Sequence, residues 1–260
     1  MGSSPLLIIA HRGASAYLPE NTLEAFHLAF DRFHADMIEF DLQMTKDGVP
    51  VVIHDAKLDR TTNGKGYVSD YVYRDLQNFD AGYYFDPTGK GLFPERGKDI
   101  KIPTFEEVLT RFSGRQLAVE IKAKSSELTH RAMDLLKKHH ALENAVVGSK
   151  HHKVFQTLRN HYPHSRSFCS IRKVLKLFLE SRRKKHKVVK EPMIVASMPM
   201  RFLKIHFDTP RWINYLHSKE IQVLFWAFQN PRTIPHLIQK GADGLVVDDP
   251  ASVPRPASRV

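Results

Sequence analysis

Residues 6–43 read LLIIAHRGASAYLPENTLEAFHLAFDRFHADMIEFDLQ. The run from Leu6 to Ala10 is short and wholly apolar and stops at a polar, glycine-containing break, which predicts a strand buried on both faces. Asn21 with Glu24 makes a capping-box-like start for a helix through Leu23-Glu24-Ala25-Phe26. A second apolar run, 37–42, then predicts another strand. Strand, helix and strand in that order form a βαβ unit, whose strands lie parallel.

The same alternation continues along the 260 residues. Strands are predicted near 6–10, 37–42, 117–121, 145–148, 166–170, 193–197, 221–227 and 244–247, with helical signals between them. Thr104 and Glu107, ahead of Val108-Leu109, form a further capping box. Eight strands are the number that a closed (β/α)8 TIM barrel requires, and a doubly wound open sheet supplies no reason for eight. The expected architecture is therefore a single α/β barrel domain over 1–260. Lys46-Asp47-Gly48 signals a hairpin, and the stretch 56–101, rich in Gly, Asp, Tyr and Phe, interrupts the alternation. It is expected to be an inserted loop or cap over the C-terminal mouth of the barrel.

Composition narrows the class. Cys169 is the one cysteine, so an intramolecular disulfide framework is excluded. No apolar run reaches transmembrane length, and the run at Leu6 begins a strand instead of a signal peptide. With no address readable at the N-terminus, a cytoplasmic location is the default expectation. A formal charge of +11 favours acidic partners: phosphorylated substrates, anionic membrane surfaces or nucleic acid. Aromatic residues are not interleaved with the basic run at 182–185, which argues against nucleic acid. There is no phosphate-loop motif, no Gly-x-Ser-x-Gly elbow, no His-Glu-x-x-His and no cysteine pair for zinc.

The residues that carry chemistry gather at predicted strand ends. His11, Glu39 with Asp41, Glu120 with Lys122, Trp226 and Asp248 fall at or near the C-terminal ends of different strands, and in a barrel those ends share one rim. Glu39 and Asp41 are two apart, so on a strand both side chains leave the same face and can meet one hard cation. Without a cation the two would repel each other and resist ionisation. Glu120 is the expected third oxygen ligand. His11 and His54 have side chains suited to proton transfer near neutrality. Arg12 offers a planar fork for a phosphate, and Lys122, on the same strand face as Glu120, a second cation for it.

Taken together, His11-Arg12-Gly13, Glu20-Asn21-Thr22, Glu39-x-Asp41, Thr45-Lys46-Asp47-Gly48, His54-Asp55, Ile102-Pro103-Thr104, Glu120-Ile121-Lys122, Trp226 and Gly241-Ala242-Asp243-Gly244 before Asp248-Asp249-Pro250 resemble the glycerophosphodiester phosphodiesterases, in that family's order. The resemblance implies a metal-dependent TIM-barrel phosphodiesterase. His11 and His54 would be its acid/base pair, Glu39, Asp41 and Glu120 its metal ligands, Arg12 and Lys122 its phosphate contacts, and Trp226 a wall against the apolar part of the substrate. An all-oxygen ligand set implies Mg²⁺ or Ca²⁺ and does not choose between them. Either histidine serves as base. The attacking group is either water or the substrate's own hydroxyl, the latter giving a cyclic phosphate as in the related venom phospholipases D.

A looser likeness at 171–190 and 198–212 points to the subgroup acting as lysophospholipase D, so both soluble glycerophosphodiesters and lysophospholipids stand as substrate classes. Asp248-Asp249 departs from the family's common Thr-Asp, leaving the role of Asp248 open. Ile171, Val174, Leu175, Phe178 and Leu179 recur at helical spacing beside Arg182-Arg183-Lys184-Lys185. This stretch is read either as the fifth barrel helix or as a contact with anionic membrane. A non-enzymatic basic binding protein is disfavoured because His11, His54, Glu39, Asp41 and Glu120 are all present.

Overall fold

The computed structural model describes residues 6–183, 189–191, 193–227 and 230–254. Eight parallel strands run Leu7–His11 (β1), Met37–Met44 (β2), Gln116–Ile121 (β3), Ala145–Gly148 (β4), Arg166–Phe168 (β5), Ile194–Pro199 (β6), Gln222–Trp226 (β7) and Gly244–Val247 (β8). Each pairs with the next, and β8 returns to β1 with Ile9 opposite Val246, so the sheet closes into a barrel. The helices between them are Leu23–His27 (α1, continued as a π turn over Leu28–Arg32), Phe105–Arg111 (α2), Ser126–Lys138 (α3), His152–His161 (α4), Ile171–Ser181 (α5), Pro210–Ser218 (α6) and Ile234–Gln239 (α7).

The period of two along each strand sorts the apolar side chains into two layers. Ile9, Met37, Ala118, Val146, Val195, Leu224 and Val246 cluster inside the barrel, one from nearly every strand, with Phe168 packed against them. Their neighbours in sequence point outward: Ile38, Phe40, Val119 and Val147 pack under the helices of the first half, and Ile8, Ala196, Phe225 and Leu245 under those of the second. The inner layer plugs the barrel. The next inward position on each strand must then emerge above the plug, and those positions are His11, Glu39, Glu120, Gly148, Ser197, Trp226 and Asp248.

The hairpin signal at Lys46-Asp47-Gly48 is realised: β2 runs past Asp41 to Met44 and pairs antiparallel with Pro50–Val52, across a turn in which Gly48 has φ of +80°. Between Asp55 and Ile102 the chain forms turns and single helical turns. It has its own small core, in which Leu58, Val68, Leu76 and Ile100 pack on Val51 and Ile53. The Thr104–Glu107 capping box is formed as expected.

The start of α1 differs from the sequence reading. Thr22, not Asn21, is the N-cap, accepting the backbone N–H of Ala25. Asn21 adopts a left-handed backbone (φ +61°) and turns its amide to Asp41. A threonine hydroxyl caps nearly as well as an asparagine, which releases the asparagine to bond a buried carboxylate.

Among the described residues, α5 packs Val174, Leu177 and Phe178 into the core, so it is the fifth barrel helix. Arg182 stacks on the Phe178 ring at 4.6 Å. Lys184 and Lys185 lie outside the described residues. No helix among the described residues is long and apolar enough to cross a membrane.

Candidate active site

The break after β1 is a tight turn in which Arg12 and Gly13 both take positive φ, +54° and +86°. A Cβ at Gly13 would sit 2.8 Å from Ala25 atoms, so only glycine lets the turn press against α1. The turn sends the Arg12 side chain back over the barrel mouth. There its Nη1 donates to Glu20 at 2.9 Å and its Nε lies 3.2 Å from Asp41 Oδ2. Its backbone N–H donates to Glu39 Oε2 at 3.1 Å.

Glu39, Asp41 and Glu120 each turn an oxygen into one cluster, those atoms lying within 4.8 Å of one another. The register produces this: Asp41 stands opposite Glu120 across the β2–β3 ladder, and Glu39 is one inward position lower. Burial, with Asp41 and Glu120 close by, holds Glu39 well above the ordinary carboxylate range, although Lys122 and Arg12 pull the other way. Lys122 Nζ lies 2.9 Å from Asp41 Oδ1 and donates to Glu120 Oε2 at 2.7 Å. Burial works against its charge, but those two carboxylates outweigh the effect and its affinity for the proton is raised. The negative charge thus exceeds what the two cations offset. Asp41 Oδ1 is buried and meets the Lys122 ammonium without a well-aligned hydrogen bond. Three convergent hard donors, one of them driven toward its protonated form, are compatible with a divalent metal.

Both histidines line the same cleft, and a carboxylate holds each at Nδ1. His11 Nδ1 is 2.6 Å from Asp248, which also accepts from Ser15; His11 Nε2 lies 4.0 Å from Glu39. His54 Nδ1 is 2.6 Å from Asp55. Burial pushes His54 below the ordinary histidine range, with Lys122 and Arg12 acting in the same direction against Asp41 and Asp55. Asp248 and Asp249 divide their tasks: Asp249 accepts from Tyr17 and from Ala251 N at the turn Pro250–Ser252.

Arg60 had no signal in the sequence. Its guanidinium makes two bonds to Glu20 (2.8 and 2.7 Å), and its Nε donates to Asp55. It therefore ties the carboxylate that holds Arg12 to the carboxylate that holds His54. Glu20, between two arginines, titrates at about 2 despite its burial. Ser197, likewise unmarked, accepts from Trp226 Nε1 at 2.9 Å and fixes that ring at the end of β7.

His11, Arg12, Glu39, His54, Glu120 and Lys122 line a cleft of about 440 Å³. The same cleft has an apolar part to its lining, to which Phe168, Val174, Leu175, Met198, Phe207 and Trp226 contribute.

A model of the "Glycerophosphoryl diester phosphodiesterase family" matches residues 11–252. The chain belongs to this family. Within it, YhdW of Bacillus subtilis is 34% identical, over 94% of this chain and 95% of its own length. A glycerophosphodiester phosphodiesterase of Caldanaerobacter subterraneus is 30% identical, over 95% and 96%. The mouse lysophospholipase D GDPD3 is 26% identical, over 96% of this chain and 81% of its own. Among solved structures, an Oleispira antarctica phosphodiesterase in complex with the product sn-glycerol-3-phosphate has the same fold, with a TM-score of 0.74 at 22% identity, covering 96% of this chain and 95% of that one.

Proposed function

We propose that this phosphoric diester hydrolase cleaves glycerophosphodiesters to glycerol 3-phosphate and an alcohol, with His11 and His54 as its acid/base pair. The convergence of two carboxylate-held histidines, a three-carboxylate cluster and two cations on one rim carries the reading. Asp248 and Asp55 each accept at Nδ1, so Nε2 is the nitrogen that exchanges a proton with the substrate, and the imidazolium that forms is stabilised. Burial holds His54 below the ordinary histidine range, which favours its neutral form and suits it to the base. His11 then protonates the departing oxygen. Arg12, kept oriented by Glu20, and Lys122 neutralise charge on the phosphoryl oxygens. Glu39, Asp41 and Glu120 would hold Mg²⁺ or Ca²⁺, which when bound polarises a phosphoryl oxygen. In this reading the chain works as one barrel unit whose 56–101 insertion braces the site through Arg60.

A second reading rests on the apolar part of the cleft lining. A glycerol backbone has no use for a wall of Phe168, Val174, Leu175, Met198 and Phe207, whereas an acyl chain would bury its methylenes there at about 0.8 kcal/mol each. The phosphodiester of a lysophospholipid would then lie at the histidines with its chain along this wall. Glycerophosphocholine and lysophosphatidylcholine, assayed side by side with Mg²⁺, Ca²⁺ or chelator while choline and the phosphorus product are followed, separate the two. Turnover that persists after complete metal removal would exclude the metal role, and full activity of His11→Ala or His54→Ala the acid/base role.

A further inference from the structure

Beside the cleft, which Phe202 and Phe207 help to line, stands a small antiparallel hairpin in which Arg201 pairs with His206 and Phe202 with Ile205, leaving Leu203-Lys204 as a two-residue turn. Its base is anchored: Met200 and Ile205 pack against the core of the second half-barrel, and Phe207 N bonds Met200 O at 2.8 Å. Its tip is not. Leu203 is 77% exposed, more than any other large apolar residue among those described, and Phe202, a lining residue of the cleft, is 47% exposed. Leu203 also takes φ of +52°, and Arg201 Nε donates to its carbonyl. Two-residue hairpin turns of this kind favour glycine or asparagine, which reach positive φ cheaply. A leucine here is unfavourable both in conformation and in solvation.

Other lining residues of the cleft share the character of the tip. Ile171 and Trp226, also lining residues, are 53% and 38% exposed. Exposed basic residues accompany these apolar groups: Arg201 and Lys204 on the hairpin, Arg172 next to Ile171 in sequence, and Lys150 in the cleft lining. Apolar side chains at a tip, flanked by cations and continuous with an apolar cleft, complement a lipid surface with anionic headgroups.

We propose that the hairpin 201–206 is a lipid-docking wedge. Phe202 and Leu203 enter the acyl boundary, Arg201 and Lys204 meet headgroup phosphates, and the cleft that Phe202 lines is set against the membrane. This deepens the lysophospholipid reading and rests on it for its purpose, since a substrate lying in a membrane would pass to the cleft without its chain crossing water.

Binding of the full chain to phosphatidylcholine vesicles with and without phosphatidylserine tests the proposal without reference to turnover. Leu203→Asn removes the apolar tip while relieving the backbone, so its melting temperature should be unchanged or higher. Its affinity for anionic vesicles should fall about tenfold. Lys204→Glu should cost about as much on anionic vesicles only, and high salt should abolish the difference. Leu203→Asn should hydrolyse soluble glycerophosphocholine as the wild type does. Leu203-dependent vesicle binding without any lysophospholipid turnover would support the wedge and sink the substrate reading. Wild-type protein that ignores both vesicles, or Leu203→Asn binding within twofold of wild type, would overturn the wedge. Leu203-dependent self-association without vesicle binding would do so too, assigning the tip to a second copy of the chain.

Discussion

Glu20→Gln removes a charge while nearly preserving shape. Glu20 accepts one bond from Arg12 and two from Arg60, and the two arginines hold it at about 2 where an ordinary glutamate titrates at 4.5. Through linkage, that depression corresponds to about 3 kcal/mol of stability at neutral pH, at about 1.4 kcal/mol per tenfold change in proton affinity. The folded value lies below the unfolded one, so the contribution is complete above about pH 4.5 and is lost as pH falls toward 2. Urea unfolding of wild type and Glu20→Gln should therefore show stabilities about 3 kcal/mol apart at pH 7, with the gap closing across that acid window. Because Glu20 orients Arg12, kcat/KM on glycerophosphocholine should also fall by roughly 10- to 100-fold at pH 7. Parallel stability curves from pH 7 to pH 3, or a gap under about 0.5 kcal/mol at neutral pH, would refute the account of Glu20 as the carboxylate between two arginines.

Asp248→Asn weakens a charge-assisted bond to His11 worth about 1.5–3 kcal/mol, so kcat should fall roughly 10- to 100-fold and the melting temperature by a few degrees; an unchanged kcat would remove Asp248 from the positioning of His11. Burial holds Glu39 above its ordinary range, so its contribution favours folding below that range and is lost as pH rises through the raised value. The gain in melting temperature on adding Mg²⁺ or Ca²⁺ should accordingly grow as pH rises above the ordinary glutamate range, and a pH-independent gain would place the ion elsewhere. Gly13→Ala combines a left-handed backbone with a 2.8 Å approach to Ala25 and should cost about 2–4 kcal/mol in denaturant unfolding; a loss under 1 kcal/mol would show that the turn can relax.

The strands, their order and the faces of their residues were legible in the sequence because they follow from local rules. Apolar runs mark β1 to β8 to within a few residues, and the period of two placed Glu39 with Asp41, and Glu120 with Lys122, on shared faces before any partner strand was known. That His11 and Glu120 belong together followed from eight strands closing on one rim. What the tertiary structure decided is which groups complete one another. His11 finds Asp248 across 237 residues, and Arg60 finds Glu20 across 40. Thr22 takes the helix cap and frees Asn21 for Asp41. Lys122, expected as a phosphate contact, also lies between two carboxylates. Leu203 reads as an ordinary apolar residue in the chain, and only the fold turns it outward. Secondary structure and facing are set by neighbours a few positions away, whereas these pairings depend on the stagger at which the barrel closes, and no local stretch of chain specifies that.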